Sequence, residues 1–110
     1  MGVEIVRGSE IESKVLRSPL PVVLDFYQAS CAPCRVLEPR LNRVAEQYKG
    51  RVAVYRVDLE RDMPLAERFR VQSIPTVILL MDGKEVDRLD GLITDDDLRQ
   101  AFIRATRSGT

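Results

Sequence analysis

Pro21-Val22-Val23-Leu24-Asp25-Phe26-Tyr27-Gln28-Ala29-Ser30-Cys31-Ala32-Pro33-Cys34-Arg35 is the stretch on which the reading of this chain turns. Its first half is a continuous apolar run with one acid inside it, the pattern of a parallel strand covered on both faces. Asp25 is therefore expected to be buried. After Gln28 the pattern changes. Leu37, Leu41, Val44, Ala45 and Tyr48 recur at helical spacing until Gly50, so the strand passes into a helix, with a kink expected at Pro39. Both cysteines fall at that junction.

Working outward, Val3-Glu4-Ile5-Val6 reads as a short first strand. Ser9 and Glu12 then form the capping box of a helix running to about Ser18. Downstream, Val52 to Asp58 reads as a third strand, and Asp62 to Phe69 as a short helix with Pro64 in its first turn. Thr76 to Met81 and Lys84 to Asp90 flank Asp82-Gly83, a strong hairpin signal. Thr94 with Asp97 caps a last helix whose apolar face is Leu98, Ala101, Phe102 and Ala105. The order predicts an α/β fold with a mixed sheet of about five strands between about four helices. In such sheets the reactive site lies beyond the carboxyl ends of the parallel strands, where Gln28 to Pro33 sit.

With 110 residues, a single domain over 1–110 is expected, large enough to bury one core. Seventeen Lys and Arg balance seventeen Asp and Glu, so no overall field draws the chain to nucleic acid or to an anionic membrane. No apolar run reaches the length of a membrane span. The first residues carry no basic-then-apolar export signal, which makes the cytoplasm the expected compartment.

Two cysteines three positions apart do not form a secreted disulfide framework. A zinc site is a competing reading, but with no histidine and no third cysteine it would need carboxylates or a second chain to complete four ligands. Two inert core thiols are a further alternative. In the first turn of a helix, however, the two sulfurs can form and break a disulfide without moving the fold. The helix amino terminus offers unpaired N–H groups and partial positive charge, which favour a thiolate at Cys31. Pro33 stiffens this turn without removing a hydrogen bond, and Arg35 adds a cation near the thiolate. Asp25 is either a structural acid satisfied by its neighbours or a proton acceptor for Cys34.

Asp25 to Arg35, with Pro39, Ile74-Pro75-Thr76 and Gly91 in register, resembles the thioredoxin family over nearly the whole chain. The resemblance implies the thioredoxin fold and a protein-disulfide reductase. Cys31 would be the attacking nucleophile, Cys34 the resolving thiol and Asp25 the assisting acid. Pro75 corresponds to a cis-proline that holds the substrate chain, and Ser30, Ala32, Pro33, Ile74, Pro75 and Gly91 make up the implied substrate-binding set. The implied partners are protein disulfides and an NADPH-dependent flavoprotein reductase, acting on a monomer without bound cofactor or metal. The chain departs from the family's pattern at several positions. Ser30 replaces the usual tryptophan, Ala32 the usual glycine, and Asp90 stands at a rim position that is commonly apolar. The lysine that commonly neighbours the buried aspartate aligns with Val54, so Asp25 is expected to lack a cation and to titrate high. A thioredoxin-fold binding module with a dedicated partner, and a more oxidising oxidase or isomerase, are the alternative functions.

Overall fold

The structure, a computed structural model, describes residues 2–108. β1 (Glu4–Ile5) is followed by a 3-10 turn (Gly8–Glu10) and a π-helical segment (Glu12–Leu16). Then come β2 (Val22–Tyr27), α1 (Ala32–Gln47), β3 (Ala53–Asp58), α2 (Met63–Arg68), β4 (Thr76–Met81), β5 (Lys84–Asp90) and α3 (Asp95–Ser108). The five strands form one sheet in the order β1-β3-β2-β4-β5. β3 runs parallel to β1 and β2, whereas β4 is antiparallel to β2 and β5. The mixed five-stranded sheet agrees with the sequence expectation, with the 3-10 turn and π-helical segment standing where the first of the four helices is expected.

Most of these elements have local causes. Asp82 and Gly83 both take positive φ (51° and 76°), as the hairpin turn between β4 and β5 requires. A Cβ on Gly83 would also stand 2.9 Å from the Leu16 carbonyl oxygen. The Thr94 hydroxyl accepts from the Asp97 N–H at 3.0 Å and the Asp97 carboxylate accepts from the Thr94 N–H at 2.9 Å, the capping box expected there. Pro39 lies inside α1 and removes one donor from its ladder without ending the helix.

The segment before β2 differs from expectation. The helix anticipated from Ser9 to Ser18 is a 3-10 turn followed by π-helical winding, with the Arg17 N–H reaching back five residues to the Glu12 carbonyl at 3.1 Å. Its cap lies two residues earlier than Ser9. The Arg7 N–H donates to the Glu10 carboxylate at 2.9 Å. This winding still buries both Ile11 and Val15.

Two apolar layers cover the sheet. Val22, Leu24, Phe26, Val57 and Ile78 pack with Ile11, Val15 and Leu65 on one face. Val23, Val77 and Leu79 pack on the other against Leu37 and Leu41 of α1 and Leu98 and Phe102 of α3. Because side chains alternate along a strand, Asp25 shares the face of Val23 and so lies beneath α1. Removing one methylene from fully buried Ile78, on the opposite layer, is expected to cost ~1 kcal/mol in Ile78→Val, read as a lower urea midpoint with disulfide-reducing activity unchanged.

Candidate active site

The two cysteines sit where β2 gives way to α1. Cys31 is the N-cap residue, its backbone extended (φ −83°, ψ 111°), and Cys34 lies in the first turn. They are joined by a disulfide across a Cα–Cα distance of 5.2 Å, within the ordinary range for such bonds. The Cys34 N–H points at Cys31 Sγ from 3.2 Å. Such a donor, at the positive end of a helix of 16 residues, favours negative charge on Cys31 sulfur once the bond is reduced. Cys31 is partly exposed and Cys34 is buried, so one sulfur of the pair is open to a partner. The Arg35 guanidinium turns back and donates to the Ala29 carbonyl at 2.8 Å, bracing the loop that carries Ser30.

The Ile74–Pro75 peptide bond is cis, as the motif implied. Pro75, Ala32, Pro33 and Gly91 line one groove of about 350 Å³ beside the disulfide, together with Val36 and Leu92. Ile74 instead lines a second hollow, shared with Gln28 and Met63. Ser30 is exposed on the loop before Cys31. Asp90 is exposed at the end of β5, in register with Thr76 and next to Gly91, whose φ of 73° suits the glycine at that bend. Sequence reading missed Val36 and Leu92. They are 54% and 89% exposed, apolar surface concentrated beside the groove. Helical spacing could have flagged Val36, which lies off the stripe of Leu37 and Leu41.

On the face of β2 that α1 covers, Asp25 is fully buried. The expectation that it lacks a cation is wrong. Val54 is in register with Val23, and the residue opposite Asp25 on β3 is Arg56. Arg56 Nε donates to Asp25 Oδ2 at 3.0 Å, while its Nη1 lies 3.2 Å from Glu38 Oε2 on α1. The guanidinium also lies 3.7 Å from the centre of the Tyr27 ring, a cation–π contact. Asp25 still titrates high, but for another reason. Burial pushes its carboxyl up to about 6 from 3.8, outweighing the pull of the Arg56 charge and hydrogen bond in the other direction. Its Oδ1 is the buried side-chain oxygen left without a hydrogen-bond partner among the described residues.

Residues 2–104 match the family model described as thioredoxin. This chain belongs to the thioredoxin family. It is 36% identical over 97 residues to mitochondrial thioredoxin of Bos taurus, covering 88% of this chain and 58% of that protein, so it spans little more than half the length of that relative. It is 33% identical over 97 residues to thioredoxin 1 of a Nostoc species, covering 88% and 91%. A mutant thioredoxin of Halobacterium salinarum superposes with a TM-score of 0.85 at 30% identity, covering 96% of this chain and 91% of that one. The thioredoxin fold inferred from the motif is thus the fold observed.

Proposed function

We propose that this chain reduces disulfide bonds of proteins through a dithiol cycle of Cys31 and Cys34, acting as one domain. The disulfide at the N-terminus of α1, with a buried acid, Asp25, on the strand that leads into it, is the observation that carries the reading. It corresponds to the end of the reaction. Two electrons and two protons from a reductant first convert it to the dithiol. The thiolate of Cys31 then attacks one sulfur of a substrate disulfide, forming a mixed disulfide and releasing the first substrate thiolate. Cys34 gives its proton to Asp25, and its thiolate attacks Cys31 Sγ. The mixed disulfide breaks, the second substrate thiolate leaves, and the Cys31–Cys34 bond returns.

The geometry supports a division of labour. Cys31 is partly exposed and faces a donor N–H, as an attacking thiolate needs, whereas Cys34 is buried and bonded to Cys31. Ala32, Pro33, Pro75 and Gly91 form the walls against which a substrate chain would lie, with Ile74 lining the second hollow and Ser30 exposed on the loop before Cys31. A carboxyl whose proton comes off near neutrality suits the exchange with Cys34. The reductant we assign is an NADPH-dependent flavoprotein reductase, and the active species a monomer. Cytoplasmic action fits a chain whose two cysteines both belong to the reactive pair, because reducing compartments disfavour structural disulfides. The bovine relative is named as mitochondrial, so the compartment is to be read by imaging a tagged chain in its own cells.

Trapping tests the reading directly. Cys34→Ser leaves the attacking thiolate and removes the resolving one, so the variant is expected to accumulate several cellular proteins as mixed disulfides that dithiothreitol releases. Recovery of a single partner that survives dithiothreitol, and that also binds the chain lacking both cysteines, would instead identify a non-covalent binding module.

A further inference from the structure

Glu38 lies one turn of α1 beyond Cys34 and takes no part in the cycle above, yet it reaches the charged group that faces the buried acid. Arg56 is held at three points: Nε on Asp25 Oδ2 at 3.0 Å, Nη1 on Glu38 Oε2 at 3.2 Å, and its flat face on Tyr27. Arg56 and Asp25 are both buried, whereas the Glu38 side chain is 45% exposed, so the guanidinium is drawn between an interior and a surface carboxylate. A free guanidinium and a carboxylate prefer a two-bond fork. Here Asp25 receives one bond and its Oδ1 receives none.

We propose that Glu38 is a positioning residue: by anchoring Arg56 from the α1 side it holds the guanidinium to a single bond with Asp25, keeping Oδ1 open to take the Cys34 proton. This rests on Asp25 being the proton acceptor. Removing the Glu38 charge has two consequences of the same sign. The positive charge of Arg56 is no longer shared, and the guanidinium is free to turn onto both oxygens of Asp25. Each stabilises the Asp25 carboxylate and makes it a weaker base. The remaining charged or titratable neighbours do not replace Glu38. Tyr27 on β2 presents its ring, Asp58 on β3 lies 3.7 Å from Arg61, and β4 places Val77 opposite Asp25. The negative charge of Glu38 also acts on Asp25 through space, raising its proton affinity.

The test follows Asp25 by carbon NMR of its carboxyl in the oxidised protein, and the pH profile of mixed-disulfide resolution by stopped flow. In Glu38→Gln the Asp25 midpoint is expected to fall by about half a unit or more, roughly threefold in basicity. The acid limb of the resolution rate should move to lower pH by the same amount, and resolution at neutral pH should slow. Glu38 is partly exposed, so the variant retains the fold. In an Arg56→Met background the Glu38→Gln shift should be clearly smaller, because only the direct through-space effect of the Glu38 charge remains once the guanidinium is gone. An unmoved midpoint in Glu38→Gln overturns the proposal, as does a shift of equal size with and without Arg56, which would leave only charge acting through space. Asp25→Asn separates this from the underlying reading. If that variant keeps the parental pH profile, Asp25 is not the acceptor and both inferences fall. If its acid limb vanishes while Glu38→Gln changes nothing, only the role of Glu38 falls.

Discussion

Replacing Cys31 with serine is expected to reduce insulin-disulfide reduction by dithiothreitol to the uncatalysed rate, a loss of at least ~100-fold, because a hydroxyl is scarcely ionised where a thiol is. Folding should survive. Cys31 caps α1, and a serine oxygen accepts from the first-turn N–H groups at least as well as sulfur does. The helical circular-dichroism signal should therefore persist while activity disappears, separating a chemical role from a structural one. Activity retained at the parental rate would remove Cys31 as the nucleophile and with it the cycle proposed above.

The second large effect concerns stability. Asp25 has a folded-state midpoint near 6 against 3.8 in a solvated chain, so the fold favours its neutral form. Below about pH 3 the acid is protonated in both states and burial costs little. As pH rises towards 6 the unfolded chain ionises first, and native stability falls. Above about pH 7 the difference levels off at ~3 kcal/mol. Asp25→Asn keeps an acceptor for Arg56 Nε and removes the ionisation. The oxidised variant is therefore expected to be more stable than its parent by ~2–3 kcal/mol at pH 8, with the gain fading towards pH 4. Urea unfolding of both proteins across that range checks it. A gain independent of pH, or a destabilisation, would show that Asp25 is held for the fold rather than against it. The same variant should resolve mixed disulfides more slowly, so a group that costs stability is retained for its chemistry.

Features with local causes were readable from the amino-acid order. The Asp82-Gly83 hairpin, the Thr94–Asp97 capping box and the dithiol at the start of a helix each depend on residues a few positions apart, and each stands where expected. Burial of Asp25 followed from the apolar run around it. Its partner was not readable, because pairing between β2 and β3 depends on register across 31 residues of chain. Moving that register by two keeps every side chain on the same face, so alternation alone does not distinguish Val54 from Arg56 as the neighbour of Asp25. The available signal was chemical. An arginine inside the otherwise apolar run Val52 to Val57 needs a buried acceptor, and Asp25 is the matching acid on the neighbouring strand. Glu38 carried no such signal, since one acid on a helix with several charged positions reads as solvated surface until the fold brings Arg56 beneath it.

Before β2 the limitation was different in kind. Ser9 and Glu12 match a capping box in type and spacing, but the chain takes its cap from Arg7 and Glu10 and winds the following turn as a π-helix. Both arrangements bury Ile11 and Val15, so hydrophobic spacing does not choose between them.

A reductase requires Cys31 and Cys34 to form a reducing couple, and equilibration of that pair against graded ratios of reduced and oxidised glutathione measures whether they do. Followed by mass after rapid alkylation, the pair should titrate as one two-electron step with a potential near the family's roughly −270 mV, remaining oxidised until the buffer is strongly reducing. A potential of about −180 mV or higher would make the protein an oxidant or isomerase instead, contradicting the direction of electron flow proposed here.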